Sequence, residues 1–152
     1  MIVFRLSKKE FVNDLSGKGA ELAGGRWNSI GNAILYTAQN RALCTAEIAV
    51  HTPLGIIPEN YFLVSIETPK RPKMQTVKKA VLGKSWKSFP HSDQTKKIGD
   101  IFLKQNRALI LKVPSAVIQG EFNYLINPKH QTFDQVKVIH IEPFEFDSRL
   151  FK

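Results

Sequence analysis

Short apolar runs of strand length outnumber helical patterns in this chain of 152 residues, and the two kinds of segment do not alternate strictly. Strands are predicted at residues 2–6, 33–37, 61–66, 108–113 and 136–141. A doubly wound parallel sheet needs regular strand–helix alternation, so the pattern favours a mixed α+β fold. The length is that of one domain, which we expect to span residues 1–152.

Two segments have the periodicity of helices. Residues 41–52 repeat apolar side chains at helical spacing, with Asn40 suited to cap the helix and Pro53 to end it. A second helix is predicted after Ser92, with one apolar face formed by Ile98, Ile101 and Phe102. The polar, glycine-rich residues 14–32 are predicted to form a long loop, a feature that is commonly functional.

The positive charge is concentrated in one segment. Residues 68–98 hold nine basic side chains against one acidic side chain, Asp93, and so carry +8 of the net charge of +9. Such a block suggests an acidic partner or a nucleic-acid backbone. A solvated, lysine-rich insertion without a partner is the competing interpretation.

Composition narrows the classes of protein that remain. No apolar run approaches the roughly 20 residues that span a membrane, and the N-terminus lacks a signal-peptide layout, so we expect a cytoplasmic protein. The single cysteine, Cys44, excludes an internal disulfide and a cysteine metal cluster. Cys44 falls away from the apolar stripe of its helix, and we assign it no role. The four histidines are scattered, so we expect no metal site.

Three chemically distinct side chains follow one another at similar intervals in the sequence. Arg26 lies in a glycine-bounded loop, Tyr36 follows ten residues later at the end of a strand, and Glu47 follows eleven residues after that. A cation, an aromatic ring and a carboxylate suit a dinucleotide with phosphates, a flat cationic base and a ribose. Taken singly, each has a plainer interpretation: a surface arginine stacked on Trp27, a core tyrosine, and a surface glutamate at a helix margin.

Three further polar residues stand in unusual settings. Arg5 interrupts an apolar strand, so it must find an anionic partner or face a cleft. Ser115 follows Pro114 at the end of a strand, where it points into a site or caps a turn. Asn123 lies in an apolar run, and we expect it to lock a loop through backbone hydrogen bonds, like Asn127.

Taken in order, these residues resemble the RES domain family, which is named for an arginine, a glutamate and a serine. The strings that carry the resemblance are FRL (4–6), GGRWN (24–28), ILYTAQNRALCTAEIAVH (34–51), LKVPSAVI (111–118), FNYLINPKH (122–130) and FEFDSRLF (144–151). The basic segment 68–98 does not match clearly and looks like a variable region. Phe102 stands where a tryptophan is more usual.

The resemblance implies the toxin of a bacterial toxin–antitoxin pair, with a fold similar to ADP-ribosyltransferases and a split β-sheet core. It implies NAD as a substrate, with no separate cofactor, consumed by hydrolysis or phosphorolysis or used to ADP-ribosylate a protein. The antitoxin would be a helix-turn-helix protein of the Xre type, forming a hetero-oligomeric complex, with DNA contacted only through it.

By motif, the family's arginine, glutamate and serine would be Arg26, Glu47 and Ser115, and Arg5 and Tyr36 match further pocket positions. In this assignment Glu47 stabilises the positive charge that grows on the ribose. Both arginines hold the pyrophosphate. Tyr36 stacks on the nicotinamide, and Ser115 orients the ribose or the incoming acceptor.

A function of another class competes with this one. The basic segment 68–98 is the electrostatic footprint expected of a nucleic-acid-binding module. Its only aromatic candidates for base stacking are Trp86 and Phe89, and it contains no recognisable motif. That hypothesis also leaves Arg26, Tyr36 and Glu47 without a role.

Overall fold

A computed structural model describes all residues, 1–152. It contains seven strands and three α-helices. The strands are β1 (Ile2–Lys8), β2 (Leu35–Ala38), β3 (Tyr61–Glu67), β4 (Met74–Thr76), β5 (Ile110–Pro114), β6 (Phe122–Ile126) and β7 (Lys137–Phe144). The helices are α1 (Lys18–Ala23), α2 (Arg41–His51) and α3 (Asp93–Gln105). The prediction of a mixed α+β fold is confirmed.

All seven strands belong to one sheet, in the order β4-β5-β6-β2-β1-β3-β7. Only β4 and β5 pair in parallel, and every other neighbouring pair is antiparallel. Strands β1 and β2 meet through a single residue pair, Phe4 with Ala38, whereas β1 and β3 pair along their full length. The sheet is therefore split at its centre into two well-paired halves.

Both faces of the sheet are covered. Successive residues of a strand point to opposite faces, and accordingly Ile110 and Ile126 belong to one buried cluster while Leu111 and Leu125 belong to another. The second cluster also contains Phe102 of α3. A smaller cluster lies under α2, where Leu43 and Cys44 pack with Ala38 of β2. Residues Phe4 and Leu6 of β1 cover the same cluster, so α2 bridges the split.

Local signals placed both long helices correctly. The Asn40 side chain accepts a hydrogen bond from the Leu43 N–H (2.8 Å), and α2 ends at His51, shortly before Pro53. The Ser92 side chain accepts a hydrogen bond from Thr95 N–H at the start of α3. These contacts are the ones that side-chain caps supply to unpaired amides at helix N-termini.

Other predictions were wrong. The predicted loop 14–32 contains α1, and strands β4 and β6 were missed. Ile101 is 52% exposed, because the buried face of α3 is formed by Thr95, Gly99 and Phe102. Cys44 is buried, because Phe4 and Leu6 of β1 cover its side of α2.

The chain has no helix that is both long and apolar enough to cross a bilayer.

The basic segment is partly built into the core. Its residues 74–76 form β4 at one edge of the sheet, and Val77 and Trp86 are buried in the same cluster as Phe102. Trp27, from the loop before β2, packs in that cluster with the Trp86 ring centroid 6.3 Å away. The lysines of the segment therefore belong to a structural element of the domain and not to a detached insertion.

The tightest backbone approach joins α3 to the loop that carries Arg26. A Cβ at Gly99 would lie 1.6 Å from the Trp27 carbonyl oxygen. We expect Gly99→Ala to lower the free energy of unfolding by roughly 1–3 kcal/mol or more, because the backbone of one element must move. Denaturant unfolding measures this. Gly19→Ala in α1, where nothing lies within 4 Å, is the control. Equal stability of the two variants would contradict the packing described.

Candidate active site

A cleft of about 440 Å³ lies beside the split in the sheet. Its lining includes Arg26, Tyr36 and Glu47, so three of the five site residues predicted from the sequence share one cavity. A second cavity of about 270 Å³ adjoins it and also borders Tyr36 and Glu47. Arg5 lines this second cavity. Ser115 is buried behind Glu47.

Glu47 lies half-buried on α2, as its helical position predicted. Its Oε1 atom accepts hydrogen bonds from Ser115 Oγ (3.2 Å) and from Asn123 Nδ2 (2.9 Å). The expectation that Asn123 locks a loop was therefore wrong, whereas Asn127 does accept from the Lys129 N–H within its own turn. No local signal identified Asn123, because its partner lies 76 residues away in the sequence.

Ser115 is a turn serine that also contacts the carboxylate. Its oxygen accepts hydrogen bonds from the N–H groups of Val117 and Ile118, each at 3.0 Å. Its hydroxyl hydrogen is directed at Glu47. Both interpretations of the sequence therefore apply, since the turn holds the serine and the serine holds the glutamate. The single hydroxyl hydrogen of Ser115 is thus engaged by Glu47 in this arrangement.

Tyr36 fixes the loop that carries Arg26. Its hydroxyl donates to Asn28 Oδ1 (2.7 Å) and accepts from the Trp27 N–H (3.0 Å). Burial raises the pKa of Tyr36, so the hydroxyl keeps its proton at neutral pH. A Cβ at Gly25 would lie 2.7 Å from this hydroxyl, which explains the glycine there. The hydroxyl of Tyr36 thus holds the loop through hydrogen bonds, and the residue also lines the cleft.

Two further sets of hydrogen bonds hold the same loop. Asn28 is fully buried, and its Nδ2 donates to the carbonyl oxygens of Ala20 (2.8 Å) and Asn32 (3.0 Å). On α3, Asp100 accepts from the Ser29 N–H (2.9 Å) and from Asn32 Nδ2 (2.8 Å). The conformation of the loop is therefore held by hydrogen bonds within the protein itself, with no ligand needed to complete them.

Arg26 connects the cleft to the basic segment. Its Nη1 donates to the carbonyl oxygens of Trp86 (2.8 Å) and Ser88 (3.1 Å). Burial lowers the pKa of Arg26, and the negative charge of Glu47 raises it, but an arginine stays protonated at neutral pH. The arginine therefore supplies a fixed positive charge and also holds residues 86–91 of the basic segment, of which His91 lines the cleft; we call this stretch the basic wall.

His91 brings the basic wall into the cleft. The residue lines the cavity, and its Nδ1 atom is buried without a hydrogen-bond partner. Burial lowers the pKa of His91, and the nearby charges of Arg26, His51 and Lys96 lower it further, so the ring is neutral at pH 7. The basic segment 68–98 therefore supplies part of the cavity lining, although the motifs that carry the family resemblance lie outside it.

Arg5 donates to two backbone carbonyl oxygens and one serine hydroxyl. Its Nη1 donates to the Asp14 carbonyl oxygen (2.6 Å), and its Nη2 donates to Ser7 Oγ (3.0 Å) and to the Phe11 carbonyl oxygen (3.1 Å). These bonds hold the loop after β1, and burial lowers the pKa of Arg5. Arg5 commits both terminal nitrogens, whereas Arg26 commits only Nη1. Arg26 is thus the better placed of the two to bind an anion.

No group of three or more histidine, cysteine, aspartate and glutamate side chains is arranged to hold a metal ion. The cleft instead brings together the positive charge of Arg26, the carboxylate of Glu47 and the ring of Tyr36, with Asn123 and two histidines beside them. Such a set can bind phosphate, hold an aromatic ring and stabilise positive charge on a sugar.

Comparison with known proteins assigns this architecture to a family. The family model for the RES domain matches residues 2–147. "Toxin Res" of Pseudomonas putida is 37% identical over 158 aligned positions, covering 99% of this chain and all of the relative. The "Prs ADP-ribosylating toxin" of Sphingobium sp. is 34% identical over 143 positions, covering 93% of this chain and 89% of the relative.

The fold is also similar to a solved one. A chain of the MbcT–MbcA toxin–antitoxin complex of M. tuberculosis superposes with a TM-score of 0.71 at 18% identity, covering 99% of this chain and 86% of that chain. The protein is thus an α+β protein with a split mixed sheet and a cleft at the split. The chain belongs to the RES domain family, and the resemblance inferred from its motifs is confirmed.

Substitutions of Arg26 test whether the cleft contains a phosphate site. We expect Arg26→Ala to weaken NAD binding at least tenfold, because it removes a fixed charge and releases the basic wall. Arg26→Lys should rescue binding only partly, because a point charge cannot reproduce the planar fork. Arg107→Ala, at an exposed position, is the control. Calorimetric titration with NAD measures the effect, and equal affinities for the Arg26 and Arg107 variants would exclude a phosphate site at Arg26.

Proposed function

We propose that the protein is an NAD-consuming toxin of a toxin–antitoxin system, and that it cleaves the bond between nicotinamide and ribose. The observation that carries the proposal is the arrangement at Glu47, whose carboxylate is held in a cleft that also presents Arg26 and Tyr36. Membership in the RES domain family and the toxin names of the relatives support it.

The chemistry follows from the charge on the substrate. Breaking the glycosidic bond sends its electron pair to the nicotinamide nitrogen, which becomes neutral, and leaves positive charge on the ribose. The Glu47 carboxylate stabilises this charge. A nucleophile then adds to the anomeric carbon and loses its proton to solvent. Water yields ADP-ribose, and inorganic phosphate yields a phosphorylated ADP-ribose.

The remaining side chains bind and position the substrate. Arg26 has Nη2 and Nε free of the hydrogen bonds that hold the basic wall, so these atoms are available to the pyrophosphate. Arg5, whose terminal nitrogens hold the loop after β1, contributes its charge and shapes the adjoining cavity. Tyr36 presents its ring to the nicotinamide. Ser115 serves the reaction by holding Glu47.

Transfer of ADP-ribose to a protein is the second candidate activity. It is favoured by one observation, the relative named Prs ADP-ribosylating toxin, which is 34% identical to this chain. The cleavage step is the same, and only the nucleophile differs. Incubation with NAD labelled in the adenylate, followed by separation of protein from small molecules, distinguishes the two activities by where the label is found.

We propose that the partner is a helix-turn-helix antitoxin of the Xre type, through which any DNA contact is made in a hetero-oligomeric complex. The related fold in the MbcT–MbcA toxin–antitoxin complex supports an antitoxin. Nucleic-acid binding by the toxin itself is disfavoured. Trp86 is only 5% exposed and packs in the core, which leaves Phe89, 79% exposed, as the sole aromatic side chain of the basic segment available for stacking.

Glu47→Gln tests the proposed reaction. We expect it to lower the rate of nicotinamide release by about 10²–10³-fold, on the order of 2.7–4 kcal/mol in the barrier, because a neutral amide cannot stabilise a growing positive charge. Chromatography of the products after incubation with NAD measures the rate. Glu145→Gln, at an exposed position, is the control for loss of one negative charge.

The growth of cells that express the protein tests the same mechanism in vivo. Expression of the wild-type protein without an antitoxin should arrest growth, and expression of folded Glu47→Gln should not. Near-normal NAD turnover by the Glu47 variant would refute the mechanism, and equal toxicity of the two proteins would give the growth arrest another origin.

The exposed lysines predict how the antitoxin associates. Reversing Lys78, Lys79, Lys84 and Lys87 to Glu should slow formation of the complex with the cognate antitoxin, with a smaller effect at high salt. Stopped-flow association kinetics measure this. Reversing four exposed lysines elsewhere, Lys9, Lys129, Lys137 and Lys152, makes the same change in net charge and is the control. Equal slowing in both variants would show a general charge effect without a local surface.

A further inference from the structure

Two donors converge on one oxygen of Glu47. Ser115 Oγ and Asn123 Nδ2 both bond to Oε1, at 3.2 and 2.9 Å, and Oε2 accepts no hydrogen bond from the protein. The side chain therefore presents Oε2 alone for interaction with a ligand. A carboxylate held by one oxygen has lost most of its rotational freedom before substrate arrives.

Both donors are themselves fixed. Asn123 lies in the middle strand of three, paired with Ala38 of β2 on one side and Val113 of β5 on the other. Ser115 Oγ is held by two backbone N–H groups in the turn after β5. Because an ionised carboxylate only accepts hydrogen bonds, the amide nitrogen of Asn123 must be the atom that faces it.

We propose that Asn123 is a positioning residue for Glu47, a role that rests on the proposed NAD chemistry. Together with Ser115 it directs Oε2 toward the anomeric carbon of the bound ribose, where charge develops. Fixing the stabilising group in advance avoids reorganising it during the reaction. Helix α2 supplies the carboxylate, and strand β6 together with the turn after β5 holds it in position.

Asn123→Asp tests this role, because it keeps the shape and removes the donor. At neutral pH two carboxylates face each other and repel, and we expect kcat for nicotinamide release to fall at least tenfold. As the pH falls, the pair takes up one shared proton. The protonated form restores a donor to an ionised carboxylate, so the ratio of variant to wild-type kcat should rise toward acidic pH. KM for NAD should change less than threefold.

Asn127→Asp is the matched control, since Asn127 is buried in the same stretch of chain but donates to Asn106 Oδ1. Its ratio to wild-type kcat should not depend on pH. A ratio for Asn123→Asp that is flat with pH, or a large rise in KM without loss of kcat, would overturn the proposal. The latter would show that Asn123 binds NAD directly.

A second variant covers the case in which Asn123→Asp does not fold. A crystal structure of Asn123→Leu should show the Glu47 carboxylate in a different rotamer from that in the Asn127→Leu structure, and an unchanged carboxylate would refute the positioning role. This readout needs no turnover. If the wild-type protein releases no nicotinamide, the proposed function fails, while the position of the carboxylate still decides the role of Asn123.

Discussion

The single residue pair between β1 and β2 is the constraint from which the site follows. Because only Phe4 and Ala38 join the two halves of the sheet, the strands separate beside them and leave room for the smaller cavity, which adjoins the main cleft. Helix α2 packs over this junction through Leu43 and Cys44. The helix thereby places Glu47 at the border of both cavities. In a continuously paired sheet, side chains would fill this space.

Most polar side chains of the cleft have a structural partner as well as a proposed chemical role. The Tyr36 hydroxyl holds the loop of Arg26, Arg26 holds the basic wall, and Ser115 holds Glu47. These bonds fix the cleft before a ligand enters, which is how electrostatic stabilisation of a transition state becomes effective. They also mean that a substitution at one of them changes geometry and charge together, so conservative variants and matched controls are needed to separate the two effects.

Local signals in the sequence were sufficient for part of the fold and site. The cap at Asn40 and the stop at Pro53 defined α2, and the helical wheel placed Glu47 at a half-buried margin. Tertiary contacts decided the rest. Strand β4 has three residues, and β6 exists because β2 and β5 flank it. Cys44 is buried by residues of β1, which a helical wheel of α2 does not include. The many lysines of residues 68–98 gave no sign that Trp86 is buried or that its carbonyl oxygen accepts a hydrogen bond from Arg26.

A crystal structure of the Glu47→Gln variant with intact NAD would show whether the cleft holds the bond between nicotinamide and ribose beside position 47. The pyrophosphate should lie at Arg26, and the anomeric carbon of the nicotinamide ribose should face the side chain at position 47. NAD bound elsewhere, for example in the separate cavity near Asn32 and Lys104, or bound here with that carbon turned away from position 47, would contradict it.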